Sequence, residues 1–152
     1  MAELAPVEKL KEYVGKEIGV SDWVQIGQDR INAFADCTDD HQWIHVNTEM
    51  AKKGPFKTTI AHGYLSLSLI PFLSAQNRVL PTGIKMAINY GLNKVRFINP
   101  VKVGSKIRNH AVLKELSQKE GGKILMTVEN TIEIEGENKP ALVAECLSMF
   151  FT

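Results

Sequence analysis

Three of the four histidines and several carboxylates fall in one stretch, Ala35 to Leu69 (ADCTDDHQWIHVNTEMAKKGPFKTTIAHGYLSLSL), while His110 lies far along the chain. Asp40 and His45 stand five residues apart. That spacing does not stack two side chains on one helix face, where neighbours are three or four apart. In a turn followed by an extended residue or two, both can point into one cleft. Histidine titrates near neutral pH and a neighbouring carboxylate tunes it. Such a pair can hold one water, one group taking its proton and the other supplying a proton to a substrate. Positioned acid–base groups typically give about 10²–10⁴-fold each. A turn-capping Asp and a satisfied core His explain the same spacing, and by itself the spacing does not choose between them.

A second element follows at His62-Gly63, which opens an apolar segment. A helix N-terminus there presents unpaired N–H groups and partial positive charge, and glycine lets a ligand approach the backbone. Aimed at a thioester carbonyl, the Gly63 N–H would stabilise an oxyanion, an effect of about 3–4 kcal/mol where such donors have been removed. Tight packing at Gly63 and a capping His62 are the plainer alternative. A zinc reading of His41 and His45, four apart, lacks the general base of H-E-x-x-H because Gln42 stands in its place, so no metal is expected. Cys37 sits on an apolar helix with nothing to activate its thiol. Lys52, Lys53 and Lys57 read as a solvated face.

These residues need elements to position them. Ile31, Phe34 and Ala35 fall at i, i+3 and i+4, predicting a helix over Asp29–Cys37 that ends in the turn Thr38-Asp39-Asp40. Asn47 can cap a short helix with Glu49 in its first turn, stopped by Gly54-Pro55. Gly63 to about Leu73 is apolar nearly all round, predicting a buried helix, with Pro71 kinking or ending it. Pro6–Val14 reads as a short opening helix and Ile18–Val24 as a strand. Over Lys123–Glu135 the chain alternates, with Ile124, Met126, Val128, Ile132 and Ile134 on one face, predicting a strand with one wet face. Met86–Ile98, Ser105–Leu116 and Ala141–Phe151 read as antiparallel companions. The pattern is α+β.

Bulk properties bound the function. A chain of 152 residues, 44% hydrophobic and 23% charged, makes one soluble domain spanning 1–152. The net charge of +1 with scattered lysines and arginines predicts no nucleic-acid partner. The longest apolar stretch, Tyr64 to Ala75, falls short of the roughly 20 residues that span a bilayer, so no membrane partner is expected. The start MAELAPVEKL lacks the features of a secretory signal, and two distant cysteines, Cys37 and Cys146, read as reduced thiols of a cytoplasmic protein.

Together the segments FADCTDDHQWIH, VNTEMAKKGPF and TTIAHGYLSLSL resemble the MaoC-like dehydratase family, which includes R-specific enoyl-CoA hydratases and nodulation protein N-like members. That family shows [ST]-G-D-x-N-P-x-H, then an acidic-capped helix, an aromatic, and I-[AV]-H-G opening a long helix. YGLNKVRFINPVKVGSKIR is similar to its strand–turn–strand, and the resemblance runs from about Ile18 to the end. It implies a hot-dog fold, a long central helix wrapped by an antiparallel β-sheet, in a homodimer or dimer of dimers. It implies an (R)-specific hydro-lyase on 2-enoyl or 3-hydroxyacyl thioesters carried by coenzyme A or a carrier protein, with no cofactor beyond the coenzyme A of the substrate. Asp40 and His45 would activate water and the Gly63 N–H would hold the oxyanion. Gln42, Trp43, Phe56, His62 and Tyr64 would contact substrate. Two positions depart from the pattern: Gln42-Trp43 replaces Asn-Pro, reshaping the wall beside His45, and Thr38-Asp39 replaces Ser/Thr-Gly. A thioesterase on the same architecture and a non-catalytic acyl-thioester binder are the rival readings.

Overall fold

The computed structural model describes residues 3–76 and 78–152. The alternating second half of the chain forms long antiparallel strands. They are β5 (Met86–Phe97), β6 (Lys106–Lys119), β7 (Lys123–Ile134) and β8 (Leu142–Phe151). With the short β2 (Glu17–Val20) and β3 (Val24–Gln25) they make a sheet in the order β2-β6-β7-β8-β5, with β3 also on β6. In β7 the residues Ile124, Met126, Val128, Ile132 and Ile134 are buried as the alternation requires, and Asn130 is buried on the same face. Gly121 and Gly122, both at positive φ, make the β6–β7 turn.

The expected strand Ile18–Val24 is two strands. Ser21 N–H still reaches the Asn109 carbonyl, but the Asp22 N–H is taken by the Gln76 side chain and the edge leaves the ladder there. A two-stranded parallel pair, β1 (Glu3–Ala5) with β4 (Val79–Pro81), was not expected. The opening helix α1 covers only Val7–Lys11.

The helices lie before and under the sheet. α2 (Gln28–Thr38) buries Ile31 and Ala35. It ends at Asp39, whose φ of 58° is left-handed. This is where the family pattern has Gly, and Asp is one of the few other residues that tolerate that region. α3 (Trp43–Val46) is one helical turn, in place of the extended residues expected around His45. α4 (Thr48–Lys53) is capped as expected: the Met50 N–H donates to Asn47 Oδ1 at 3.0 Å, and Gly54 closes the helix.

The expected long central helix is two, α5 (Gly63–Ser68) and α6 (Ile70–Ser74), broken at Leu69. Pro71 has no N–H to offer the Leu67 carbonyl, so the ladder fails before the proline rather than after it. Leu65, Ile70 and Leu73 pack with Ile107, Ile132, Leu142 and Ala144 of the sheet in the main core. Leu73 is fully buried, and truncating such a side chain costs about 2–5 kcal/mol. The helix is not buried all round, since Tyr64 is 68% and Phe72 50% exposed. A second core joins Leu10, Ile18 and Val79 to Leu113, Met126 and Phe150. Among the described residues no helix is long and apolar enough to cross a membrane.

Candidate active site

α3 begins at Trp43, with three residues between it and the left-handed Asp39. Its single turn drives His45 inward, where it is 6% exposed. His45 Nδ1 lies 2.7 Å from the Ile60 carbonyl oxygen. A carbonyl only accepts, so Nδ1 carries the proton and Nε2 keeps its lone pair. Burial pushes the His45 imidazole below its ordinary pKa and nearby His62 adds to this, against the raising pull of the Ile60 carbonyl and Asp40. The ring is neutral at pH 7 and able to accept a proton.

His62 is buried behind it. Its ring stacks on His45 with centroids 3.7 Å apart and meets Phe34 at 5.0 Å. Its Nε2–H donates to the Asp40 backbone carbonyl at 2.9 Å, tying α5 to the turn that carries Asp40. The half-exposed Asp40 carboxylate comes within 3.9 Å of the same nitrogen. One ligating atom from each of Asp40, His45 and His62 lies within 4.8 Å of the others. Such a cluster invites a cation, but the two stacked rings direct their lone pairs in nearly parallel planes and Nδ1 of His45 and Nε2 of His62 are already spent on carbonyls. The arrangement suits holding a water between a carboxylate and an imidazole better than converging three ligands on an ion.

A cleft of about 260 Å³ opens beside His45 and is bounded by Gly63, Ser66, Phe97 and the turn Ile98–Val101. Gly63 is the first residue of α5, so its N–H has no partner within the helix. A Cβ there would stand 2.9 Å from Phe97 Cδ1. Glycine thus allows the Phe97 ring to close over the helix start.

His45 and Gly63 share this cleft; Asp40 does not line it and reaches the cluster from the turn behind. The other expected contacts stand elsewhere. His62 faces inward with its ring between Phe34 and His45 and does not line the cleft. Trp43 lies against Gly54, whose Cβ would meet the indole at 2.9 Å, so the residue that replaces the family's proline packs against the end of α4 rather than on the cleft. Gln42 is exposed at the N-cap of α3 and Phe56 is half-buried, both off the cleft. Tyr64 points outward but meets Phe97 edge-on at 5.8 Å. His41 is turned to Asp36 at 2.9 Å, and His110 sits between Glu17 and Glu133 on the sheet.

Gln28 is hydrogen-bonded to the site from α2, a contact that the sequence did not disclose. Its Nε2 donates to the His45 backbone carbonyl at 2.8 Å, and its Oε1 accepts from the buried Thr59 hydroxyl. It clamps the α3 turn to the strand-like segment before Gly63. No short-range signal marks it, since its partners lie 17 and 31 residues away.

Known proteins resemble this chain in sequence and in fold. Residues 9–135 match the family model described as MaoC like domain. The chain is 49% identical over 147 residues to 3-hydroxyacyl-thioester dehydratase Z of Mycobacterium tuberculosis, covering 97% of each. It is 43% identical over 137 residues to nodulation protein N of Rhizobium leguminosarum bv. viciae, covering 90% of this chain and 85% of that one. Its fold matches the (R)-hydratase from A. caviae involved in PHA biosynthesis with a TM-score of 0.72 at 24% identity, over 89% of this chain and 94% of that one. With a hot-dog layout, an Asp–His pair and a glycine-opened helix in the family's order, the chain belongs to the MaoC-like dehydratase family.

Proposed function

We propose that the protein interconverts 2-enoyl and (R)-3-hydroxyacyl thioesters by adding and removing water. The observation that carries this is the tautomer of His45, fixed by the Ile60 carbonyl so that Nε2 is free, on a ring that lines the Gly63-bounded cleft and has a ligating atom within 4.8 Å of an Asp40 oxygen. In the hydration direction Asp40 orients a water, and His45 Nε2 takes one of its protons as the oxygen bonds to C3. The electrons of the C2–C3 double bond move toward the thioester carbonyl, whose oxygen is held by the Gly63 N–H. The imidazolium returns its proton to C2 as the enolate collapses. Hydroxyl at C3 and hydrogen at C2 account for the whole water. His62, Gln28 and Thr59 position the pair without touching substrate.

The similarity to a relative named as a 3-hydroxyacyl-thioester dehydratase supports the same reaction. The test is hydration of crotonyl-CoA, followed by loss of enoyl absorbance, with chiral analysis of the product. Asp40→Asn and His45→Gln should each lower kcat by about 10²–10⁴-fold. Wild-type rates in both variants would sink the assignment, and thiol release without hydration would favour a thioesterase.

The working unit is proposed to be a homodimer in the cytoplasm. β5 is the free edge of the sheet, and it exposes Met86, Ile88, Tyr90 and Leu92. A long apolar edge strand of this kind calls for pairing. Light scattering at micromolar concentration should give twice 16.9 kDa or a multiple, and a monomer would refute the pairing.

A further inference from the structure

A second cavity, of about 720 Å³, follows the first along the helix, starting at Leu67 and Ser68 where the His45 cleft stops at Gly63 and Ser66. Its walls are largely apolar, with Leu67, Ile70, Leu80 and Val128 among them. Part of its lining is polar. Arg78 lines it and is only 8% exposed, yet its Nε and Nη2 are buried without a hydrogen-bond partner among the described residues. Ser74 and Asn130 line the same cavity. Both belong to a buried polar chain in which Asn109 Nδ2 donates to Ser74 Oγ at 3.0 Å and to Asn130 Oδ1 at 2.9 Å. Cys146 lies beside both Asn130 and Arg78.

A buried guanidinium with unused donors is costly unless something pairs with it. Among the described residues no carboxylate forms an ion pair with Arg78; burial and the neighbouring Cys146 thiol are what act on it. Burial pulls the guanidinium down to about 10, so it stays charged at neutral pH. Asn130 interrupts the apolar alternation of β7 and lines the same cavity as Arg78.

Given the thioester reading above, on which this rests, we infer that the acyl chain of the substrate runs into this cavity and ends in a carboxylate that pairs with Arg78. The apolar walls take the methylenes, and the planar guanidinium offers two parallel N–H groups to a carboxylate. Gly63 opens α5 and Ser74 closes α6, so the chain must reach past both helices to run from the thioester to Arg78. A phosphate could meet the same donors, but the apolar walls leading to Arg78 favour the end of an acyl chain.

The test compares 2-enoyl-CoA substrates of matched length, bearing either a terminal methyl or a terminal carboxylate, over a series of chain lengths, with crotonyl-CoA as reference. At the fitting length the wild type should favour the carboxylate in kcat/KM by about ten- to a hundredfold, the span of a charge-assisted hydrogen-bonded pair. Arg78→Met should abolish or reverse the ratio and Arg78→Lys should retain part of it. The ratio is the readout because a general loss of stability moves both substrates together. A wild type that favours the methyl at every length, or an Arg78→Met that lowers both substrates equally, overturns the inference. If Arg78→Met fails to fold, the wild-type ratio decides. Failure to hydrate crotonyl-CoA would instead count against the proposed reaction. Calorimetric titration with the saturated methyl- and carboxylate-ended acyl-CoA pair then tests the Arg78 site alone, equal affinities overturning it. Inorganic phosphate competing as well as the carboxylate would assign the site to a phosphate and overturn it too.

Discussion

Replacing Gly63 by Ala puts one methyl group where Phe97 Cδ1, Cε1 and Cγ stand 2.9, 3.0 and 3.3 Å from it. Two effects oppose. Gly63 is not among the glycines at positive φ, so Ala fits its backbone and should gain about 0.4–1 kcal/mol from a less flexible unfolded chain. Against that, overpacking costs about 1–3 kcal/mol when neighbours must shift. Phe97 is 50% exposed, so its ring can swing outward, which places the cost at the lower end. The net expectation is a loss of about 0.5–1.5 kcal/mol. Activity should suffer more than stability, because the displaced ring borders the cleft and the displaced amide is the proposed oxyanion donor. A fall of about ten- to a hundredfold in kcat/KM for crotonyl-CoA is expected, since a misplacement near 1 Å has effects of that order. Urea unfolding and steady-state kinetics measure the two. The decisive comparison is a double-mutant cycle with Phe97→Leu. If the ring is the obstacle, Gly63→Ala should cost about 1 kcal/mol less when Phe97→Leu is already present, or even stabilise. Strict additivity of the two changes, or a fully active and undestabilised Gly63→Ala, would refute the account of why glycine opens this helix.

Four further outcomes are expected. Gln28→Ala strips a partner from the His45 carbonyl and from the buried Thr59 hydroxyl, which should cost about 1–3 kcal/mol in urea melts and lower kcat while KM moves little; unchanged kcat in a folded variant would deny it a positioning role. Because burial depresses the His45 pKa, kcat should rise with pH to a plateau with its midpoint below the ordinary histidine value of about 6.5. The same shift means His45 contributes stability above the unfolded-state pKa that is lost as pH falls through the folded one, so His45→Gln should flatten the acid limb of a stability–pH curve; an acid limb that persists unchanged would assign it to other groups. Asp39→Gly relieves a side chain at φ 58° and should raise stability by up to about 1 kcal/mol, read as a higher Tm, and an unchanged or lower Tm would show that Asp39 is comfortable there.

The long strands and the order of the site were legible without a structure because both are written locally. Alternation over Lys123–Glu135 is a two-residue period, and β7 occupies Lys123–Ile134. Asn47 caps α4 through a contact three residues away. Asp40, His45 and His62-Gly63 stood out through their types and spacing. What remained hidden depends on contacts across the fold. A helix of four residues, α3, is too short to leave any period in the sequence, so the inward turn of His45 could not be read from it. The break at Leu69 was misplaced onto Pro71 because a missing donor acts on the carbonyl four residues earlier. Gln28 reads as an ordinary polar residue at the start of a helix until Thr59 and His45 are brought against it. Phe97 closes over Gly63 from the far end of β5, and Trp43, expected beside the substrate, is drawn instead to the space left by Gly54. Arg78 is the sharpest case: its type predicts a solvated surface, and only the tertiary fold leaves it buried with donors to spare. Residue type and local spacing determine which chemistry is available, whereas burial and long-range partners, which have no local code, decide which group is neutral, which is charged and which faces the substrate.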